Sequence, residues 1–272
     1  MTLARPAQLV QYLGRAPELV AARRHTPAVA PLLMRYLEIG SPKYPFRMHL
    51  RNGATLTLSS PAEVKVFWQI FVRRCYRLPE RCETILDCGA NVGIFSVWAA
   101  QERPSARIVA LEPFGDTYRA LDGHVRANGL ERRVTCVQAG LAGTSGQRWM
   151  QGGTDSPYRK VMTADAVPAD VAARAEPVQC ITLADAIEQC RLQPLDVLKM
   201  DIEGSEWEVL LSSPPEVLAG IRHIQVEYHS VHRRFGYTPE KLFAHLERAG
   251  HRVVSRIEDA HHTGLAYLER AA

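Results

Sequence analysis

The sequence predicts an α/β fold in which helices cover both faces of a mostly parallel sheet. After Pro79, short apolar runs alternate with helix-like segments of about 10–15 residues, the pattern of strand–helix–strand units. The last two apolar runs are separated only by a short polar stretch, which predicts an antiparallel pair that closes the sheet. The 272 residues, 46% hydrophobic and 23% charged, are enough for one large domain.

The apolar runs predict the elements of this sheet in order. Strands are expected at Thr84–Cys88, Arg107–Leu111, Val134–Gln138, Asp196–Met200 and His223–Glu227. Helices are expected at Val92–Gln101, Phe114–Ala127, Leu183–Cys190, Glu206–Leu211 and Pro239–Ala249. The closing pair is expected at His251–Ile257 and Gly264–Leu268.

The segments outside this alternation are predicted from turn and breaker residues. Residues 1–42 carry five prolines and scattered apolar positions, so we expect short helices packed against the rest of the protein. Asn52-Gly53 predicts a β-hairpin over Phe46–Leu58, with both turn residues at positive φ. An amphipathic helix is expected over Ala62–Tyr76. Periodicity is lost over residues 142–176, which predicts a loop-rich insertion.

Composition and charge exclude several classes of protein. No window reaches the roughly 18 apolar residues of a membrane span, and the first residues lack a secretory signal pattern, so we expect a cytoplasmic protein with no membrane partner. The 33 basic and 29 acidic residues give a net charge of only +4, and the basic residues form pairs instead of a track, which argues against a nucleic-acid partner. The six cysteines form no CxxC pair and are expected to be reduced packing residues.

The sharpest motif is the run Ile85–Phe95, in which a hydrophobic strand passes through Asp87 into a glycine-containing turn and then a helix. Gly89 and Gly93 allow a ligand to approach the backbone, and the helix start offers free N–H groups. Asn91 stands where the GxGxxG dinucleotide fingerprint has its middle glycine, so a pyrophosphate fits poorly. The motif predicts a nucleoside-type ligand and argues against NAD.

The next predicted strand ends in Glu112-Pro113-Phe114, about twenty residues beyond the glycine turn. A carboxylate at this edge can accept hydrogen bonds from both hydroxyls of a ribose, and the ring of Phe114 can pack on a purine. A ligand with a ribose, no diphosphate and a positive centre suits an acid-rich pocket. S-adenosylmethionine has these features and is the predicted cofactor, with Asp87 orienting its amino group.

Acidic residues are concentrated after the fourth and fifth predicted strands. Asp201, Glu203 and Glu206 lie within six residues, and the two glutamates also suit the first turn of a helix, where acids favour the helix dipole. Asp201 lies at the strand tip, at the crevice in which open α/β sheets bind ligands. Glu227 and His229 share one face of the next strand. We expect Asp201, Glu227 or His229 to accept a proton from the substrate.

In this order and spacing, the motifs resemble the FkbM family of S-adenosylmethionine-dependent methyltransferases over roughly residues 56–227. The resemblance implies a class I methyltransferase fold, a Rossmann-like three-layer sandwich with seven strands. It also implies methylation of a hydroxyl on a sugar, polyketide or other natural product. The methyltransferase domain would span residues 46–272, with residues 1–45 as a lid or homodimer contact. The matching pieces are Leu86–Gly93, Ala110–Pro113, Asn128, Ile181–Leu183, Lys199–Glu206 and Val226-Glu227.

The resulting hypothesis is an O-methyltransferase with a small-molecule acceptor. Direct proton transfer to a side chain is preferred to a version in which Asp201 and Glu227 hold a magnesium ion that lowers the pKa of the acceptor hydroxyl. Methylation of nitrogen or of a carboxyl group is an alternative. An NAD-dependent oxidoreductase and a catalytically silent binding subunit are alternatives from other classes.

Overall fold

The N-terminal part of the protein consists of helices and one hairpin. The computed structural model describes residues 16–151, 160–162, 176–229, 236–259 and 263–271. In chain order its first elements are α1 (Ala16–His25), α2 (Val29–Tyr36), β1 (Phe46–His49), β2 (Thr55–Leu58) and α3 (Pro61–Phe67), which continues into a π-helical turn (Trp68–Val72).

Helices α1 and α2 are part of the main core, as expected for helices that pack against the rest of the protein. Ala22 and Leu32 are fully buried among residues of α3 and the π turn. Glu18 accepts hydrogen bonds from Trp68 Nε1 (2.6 Å) and Arg73 Nε (3.2 Å) and so fastens α1 to the π turn. That residues 1–45 act as a lid or homodimer contact stays a prediction.

The hairpin is confirmed, but its turn differs from the prediction. Strands β1 and β2 pair antiparallel. Of the two predicted turn residues only Gly53 has a positive φ, +90°, and its N–H donates to Leu50 O (3.0 Å). This geometry is a type I turn followed by a left-handed glycine. The predicted helix over Ala62–Tyr76 is also shorter than expected, because the backbone turns to positive φ at Arg74 after the π turn.

The remaining elements are strands and helices, with five of the described strands lying between the helices at Gly115–Ala127 and Leu183–Gln189. They are β3 (Thr84–Cys88), α4 (Ile94–Glu102), β4 (Arg107–Leu111), α5 (Gly115–Ala127), β5 (Val134–Val137), β6 (Gly140–Leu141), β7 (Gly146–Gln151), β8 (Lys160–Met162), β9 (Glu176–Ile181), α6 (Leu183–Gln189), β10 (Leu195–Met200), α7 (Glu206–Ser212), α8 (Pro215–Ala219), β11 (Ile221–Tyr228), α9 (Pro239–Arg248), β12 (His251–Glu258) and β13 (Gly264–Arg270). Each strand predicted for the main sheet is present, with bounds within about two residues.

The main sheet has seven strands in the order β12-β13-β11-β10-β3-β4-β5. Strands β11, β10, β3, β4 and β5 pair in parallel, whereas β13 runs antiparallel to both β11 and β12. The predicted fold class and its closing antiparallel pair are therefore confirmed. The carboxyl ends of β3, β4, β10 and β11 meet at one edge of the sheet, because parallel strands end on the same side.

Two hydrophobic layers cover the faces of this sheet. Successive residues of a strand point to opposite faces, so Ile85 packs with α4 and α5 while Leu86 packs with α6 and α7. Burial on both faces explains the nearly continuous apolar runs of the parallel strands. Each fully buried leucine or isoleucine contributes about 1.5–3 kcal/mol to folding.

The segment predicted as a loop-rich insertion, residues 142–176, contributes strands β7 and β8 to a second sheet, which the prediction did not include. The strand order of this sheet is β6-β9-β7-β8. Strand β7 pairs antiparallel with β9, and β9 pairs in parallel with β6. Residues 152–159 and 163–175 of the predicted insertion lie outside the described residues.

No helix in the described ranges is both long and apolar enough to cross a membrane. The six cysteines are free thiols, as expected. Cys82, Cys88 and Cys180 are buried packing residues, but Cys75 is exposed.

Candidate active site

The turns that follow β3 and β4 are joined by hydrogen bonds. Leu111 O accepts from the N–H groups of Gly89 (3.1 Å) and Ala90 (2.9 Å). The Asn91 N–H donates to Glu112 Oε2 (2.8 Å). The first two strand–helix junctions therefore lie side by side at the carboxyl edge of the sheet, where open α/β sheets bind ligands.

Packing and a positive φ together account for the two glycines of the first turn, with the closer backbone contact at Gly89. A Cβ at Gly89 would lie 1.8 Å from the backbone oxygen of Asp201, and a Cβ at Gly93 would lie 2.6 Å from Leu121 Cδ1. Both residues also have positive φ, +74° and +85°. The sequence argument assigned these glycines to ligand approach, whereas in the structure the tip of β10 and helix α5 exclude a side chain.

Glu112 is almost enclosed and accepts three hydrogen bonds. Oε2 accepts from Asn91 N, and Oε1 accepts from Phe114 N (3.1 Å) and Thr117 Oγ1 (2.6 Å). Burial raises the pKa of this carboxyl, and the three hydrogen bonds oppose that rise. A carboxylate has about four lone-pair sites. One site on Oε2 has no partner among the described residues, but only 4% of Glu112 is exposed, and its binding of ribose hydroxyls stays a prediction.

Asn91 and Phe114 have mainly structural contacts. Asn91 has a φ of +50°, which asparagine tolerates, and its Oδ1 accepts from the next N–H, that of Val92 (2.8 Å). The ring of Phe114 is buried with Ala142, Val178 and Cys180. With 7% of Phe114 exposed, little of the ring is available to a purine, so the structure does not support the predicted stacking.

Pro113 lies between Glu112 and Phe114 at the end of β4 and is half-buried. It faces Gly140 of β6, where an added Cβ would lie 3.4 Å from Pro113 Cβ. The residue therefore joins the turn after β4 to the second sheet.

Asp87 is fully buried and paired within the protein. Its Oδ1 lies 3.0 Å from Lys199 Nζ, and its Oδ2 accepts from Ser96 Oγ (2.7 Å). Lys199 also donates to Gly89 O (2.8 Å). Burial favours a neutral amine, but the charges of Asp87 and Asp201 outweigh it and raise the pKa of Lys199. Asp87 has no exposed surface for the amino group of a cofactor, so the structure supports an indirect role: it holds Lys199 against the glycine turn.

The tips of β10 and β11 bring together a cluster of acids around one histidine. Asp201, Glu203 and His229 each place a ligand atom within 4.8 Å of the other two. His229 Nδ1 lies 3.0 Å from Glu206 Oε1, and its Nε2 lies 3.5 Å from Glu203 Oε2. Trp207 Nε1 donates to His229 O (2.7 Å) and fixes the backbone there. The predicted residues Asp201 and His229 thus share one site.

The surroundings of His229 favour the protonated form of the ring when no other cation is bound. Burial alone would lower its pKa, but the hydrogen bond with Glu206 and the charges of Asp201 and Glu203 raise the pKa to about 9. A protonated imidazole cannot accept a proton from a substrate. Both ring nitrogens face carboxylates, so the contacts favour another group as the base, and a general-base role for His229 stays a prediction.

The pKa values of the carboxyl groups beside His229 are also raised, which for a carboxyl group favours the neutral form. Burial and the charge of Asp201 raise the pKa of Glu203 and of Glu227 to about 7 each. Burial also raises the pKa of Asp201, against the charges of Lys199 and His229. The Tyr76 hydroxyl donates to Glu227 Oε2 (3.2 Å) and holds that carboxylate in place.

Four residues of the site carry roles that sequence reasoning missed. Glu203 and Glu206 were considered helix-end acids; Glu206 does lie in the first turn of α7, and it also accepts from Ile202 N (2.9 Å) in the preceding loop. The sequence did offer a signal for Lys199, because a lysine within a buried apolar strand needs a partner. Lys199 lies directly across from Asp87 in the β10–β3 register. No sequence signal joins Tyr76 to Glu227.

The chain matches the model of the Methyltransferase FkbM domain over residues 87–253, which is more than half of its length. Methyltransferase sdnD of Sordaria araneosa is 28% identical over 190 residues, covering 60% of this chain and 73% of that protein. 31-O-demethyl-FK506 methyltransferase FkbM of Streptomyces tacrolimicus is 26% identical over 231 residues, covering 73% of this chain and 87% of that protein.

Similarity to solved structures is weaker. TrmK of M. capricolum in complex with S-adenosyl-homocysteine has a TM-score of 0.43 at 11% sequence identity, covering 71% of this chain and 64% of that one. The strand order of the main sheet and the family match agree with the class I methyltransferase fold. The chain belongs to the FkbM family of S-adenosylmethionine-dependent methyltransferases.

Proposed function

We propose that this protein transfers a methyl group from S-adenosylmethionine to a hydroxyl of a small molecule. The observation that carries this proposal is the position of Glu227, a half-buried carboxylate held by Tyr76 at the crevice edge. Methyl transfer to a hydroxyl requires that the oxygen lose its proton, and a fixed carboxylate beside the crevice can accept it.

The residues of the crevice fit the chemistry of the methyl donor. On Oε2 of Glu112, the acceptor site without a partner among the described residues is proposed to take a ribose hydroxyl. The carboxylates of Asp201 and Glu227 provide the negative surroundings that favour a sulfonium cation. When bound, S-adenosylmethionine supplies a methyl group on a good leaving group. The contribution of the protein is then to align the acceptor oxygen and to exclude water.

Glu227 is the proton acceptor that the contacts favour. Its Oε2 is held by the Tyr76 hydroxyl, and within the described chain its Oε1 has no hydrogen-bond partner. The ring nitrogens of His229 face Glu206 and Glu203, so His229 acts as a fixed positive charge beside the acids when no other cation is bound. Asp201 is proposed to orient the acceptor, because it lies at the tip of β10 next to the glycine turn.

The name of one relative supports an oxygen acceptor, and the name of another gives only methyl transfer. One is named as the methyltransferase of 31-O-demethyl-FK506 and another as methyltransferase sdnD. Methyl transfer to nitrogen or to a carboxyl group would use the same donor site. The donor site therefore cannot distinguish these alternatives, and the methylated product must be identified.

The test uses purified protein, S-adenosylmethionine labelled in its methyl group, and matched acceptors that carry hydroxyl, amine or carboxyl groups. The proposal expects label in a base-stable methyl ether. Glu227→Gln should lower turnover by about a hundredfold, with unchanged affinity for S-adenosylhomocysteine. Glu240→Gln, which changes an exposed acid of α9, is the control and should keep full turnover. Label only in amines or in base-labile esters would contradict the proposal, as would full turnover in Glu227→Gln.

A further inference from the structure

The tips of β10 and β11 carry a ligand set suited to a divalent cation. Asp201 and Glu203 each offer a carboxylate oxygen and His229 offers a ring nitrogen, and these three atoms lie within 4.8 Å of one another. Two oxygens and one imidazole nitrogen are a donor set used for Mn²⁺, Fe²⁺ and Zn²⁺. The sequence argument had paired Asp201 with Glu227, whereas the geometry replaces Glu227 by Glu203 and His229.

Glu206 provides a second observation that points to a cation. Its side chain is fully buried and lies directly behind His229, with Oε1 3.0 Å from Nδ1. Its Oε2 is also buried and has no hydrogen-bond partner among the described residues. Histidines that bind metals usually donate their other ring N–H to such a carboxylate, which fixes the orientation of the ring. Here the contact leaves Nε2 on the side of Glu203.

The balance of charge in the cluster also favours a cation. The charge of Lys199 acts on Asp201, but this lysine is paired with Asp87 and donates to Gly89 O. Asp201, Glu203, Glu206 and Glu227 then surround one histidine. Four ionised carboxyl groups leave this cluster negatively charged even around a protonated ring, and a divalent cation that displaces the proton from Nε2 would offset that charge.

We propose that Asp201, Glu203 and His229 bind one divalent cation of the Mn²⁺ class, with Glu206 orienting the histidine and Glu227 outside the ligand set. Three protein ligands leave coordination positions for oxygens of a bound molecule. If the proposed function holds, those positions would take the acceptor, so that its hydroxyl lies between the cation and Glu227.

The test measures Mn²⁺ binding to the full chain after treatment with EDTA and dialysis, without donor or acceptor. Electron paramagnetic resonance of free Mn²⁺ reports the bound fraction. We expect one Mn²⁺ per chain and a loss of affinity of at least tenfold in Glu203→Gln and in His229→Asn. Glu227→Gln is the matched control, because it removes one charge from the same cluster but no ligand, and should bind Mn²⁺ within about threefold of the unaltered protein.

Two results would overturn the site. One is no Mn²⁺ binding by the unaltered protein, which would mean that the acids serve only the sulfonium cation. The other is an equal loss of Mn²⁺ affinity in Glu227→Gln and Glu203→Gln, which would mean that the net charge of the cluster attracts the ion without specific ligands. Calorimetry with S-adenosylhomocysteine, performed in parallel, separates the two proposals. Mn²⁺ binding without binding of this nucleoside would contradict the proposed function alone, and the reverse would contradict the cation site alone.

Discussion

Replacing Gly89 by alanine tests how closely the tip of β10 is packed against the glycine turn. The Cβ of alanine would lie 1.8 Å from Asp201 O, so this carbonyl must move by about 1 Å. The left-handed φ of +74° costs a non-glycine residue about 1–2 kcal/mol. Forcing atoms into a filled space costs about 1–3 kcal/mol more. The free energy of unfolding should therefore fall by about 2–5 kcal/mol, a large part of the 5–15 kcal/mol typical of a domain.

The assay is urea denaturation of Gly89→Ala beside Gly129→Ala. Gly129 has a similar φ, +62°, but an added Cβ there meets nothing within 4 Å. Gly129→Ala should lose only about 1–2 kcal/mol. The difference between the two variants isolates the clash with Asp201. Affinity for S-adenosylhomocysteine should fall in Gly89→Ala alone, because the glycine turn moves. Equal losses of stability with unchanged affinity would refute the packing argument.

Two further predictions concern buried contacts near the crevice. Lys199→Met leaves Asp87 buried without its ion pair and should lower the free energy of unfolding by about 3–5 kcal/mol. The double variant Lys199→Met, Asp87→Asn should regain part of this loss. If urea denaturation instead shows that the two single losses add, the ion pair does not have this role. Tyr76→Phe removes the hydrogen bond to Glu227 and should lower kcat about 2–10-fold. The affinity for S-adenosylmethionine should stay unchanged. A change in that affinity alone would place Tyr76 in the donor site.

The main sheet could be predicted from the sequence because its parallel strands are buried on both faces. Strands β3 and β4 have the predicted bounds, since continuous apolar runs there end at a turn residue or an acid. The second sheet was missed because β7 has no clear hydrophobic alternation and pairs with β9, about thirty residues away. The tight turn at Gly53 was found, but its type depends on backbone angles that the sequence leaves open.

The location of the site could be predicted, but several roles could not. Topology places Glu112, Asp201 and Glu227 at one sheet edge, because the strands that carry them end on the same side. The protonation of His229 depends on Glu206, whose burial beside the ring is a tertiary contact. Tyr76 reaches Glu227 across 151 positions of sequence, a distance that local patterns do not cover.

Titration calorimetry of S-adenosylhomocysteine into the unaltered protein and into Glu112→Ala tests the central claim most directly. The claim is that the junctions after β3 and β4 form the nucleoside site, with Glu112 accepting a ribose hydroxyl. We predict saturable binding of S-adenosylhomocysteine at one site per chain, and an affinity about tenfold or more lower in Glu112→Ala. No binding by the unaltered protein, or equal affinity in both proteins, would contradict the claim.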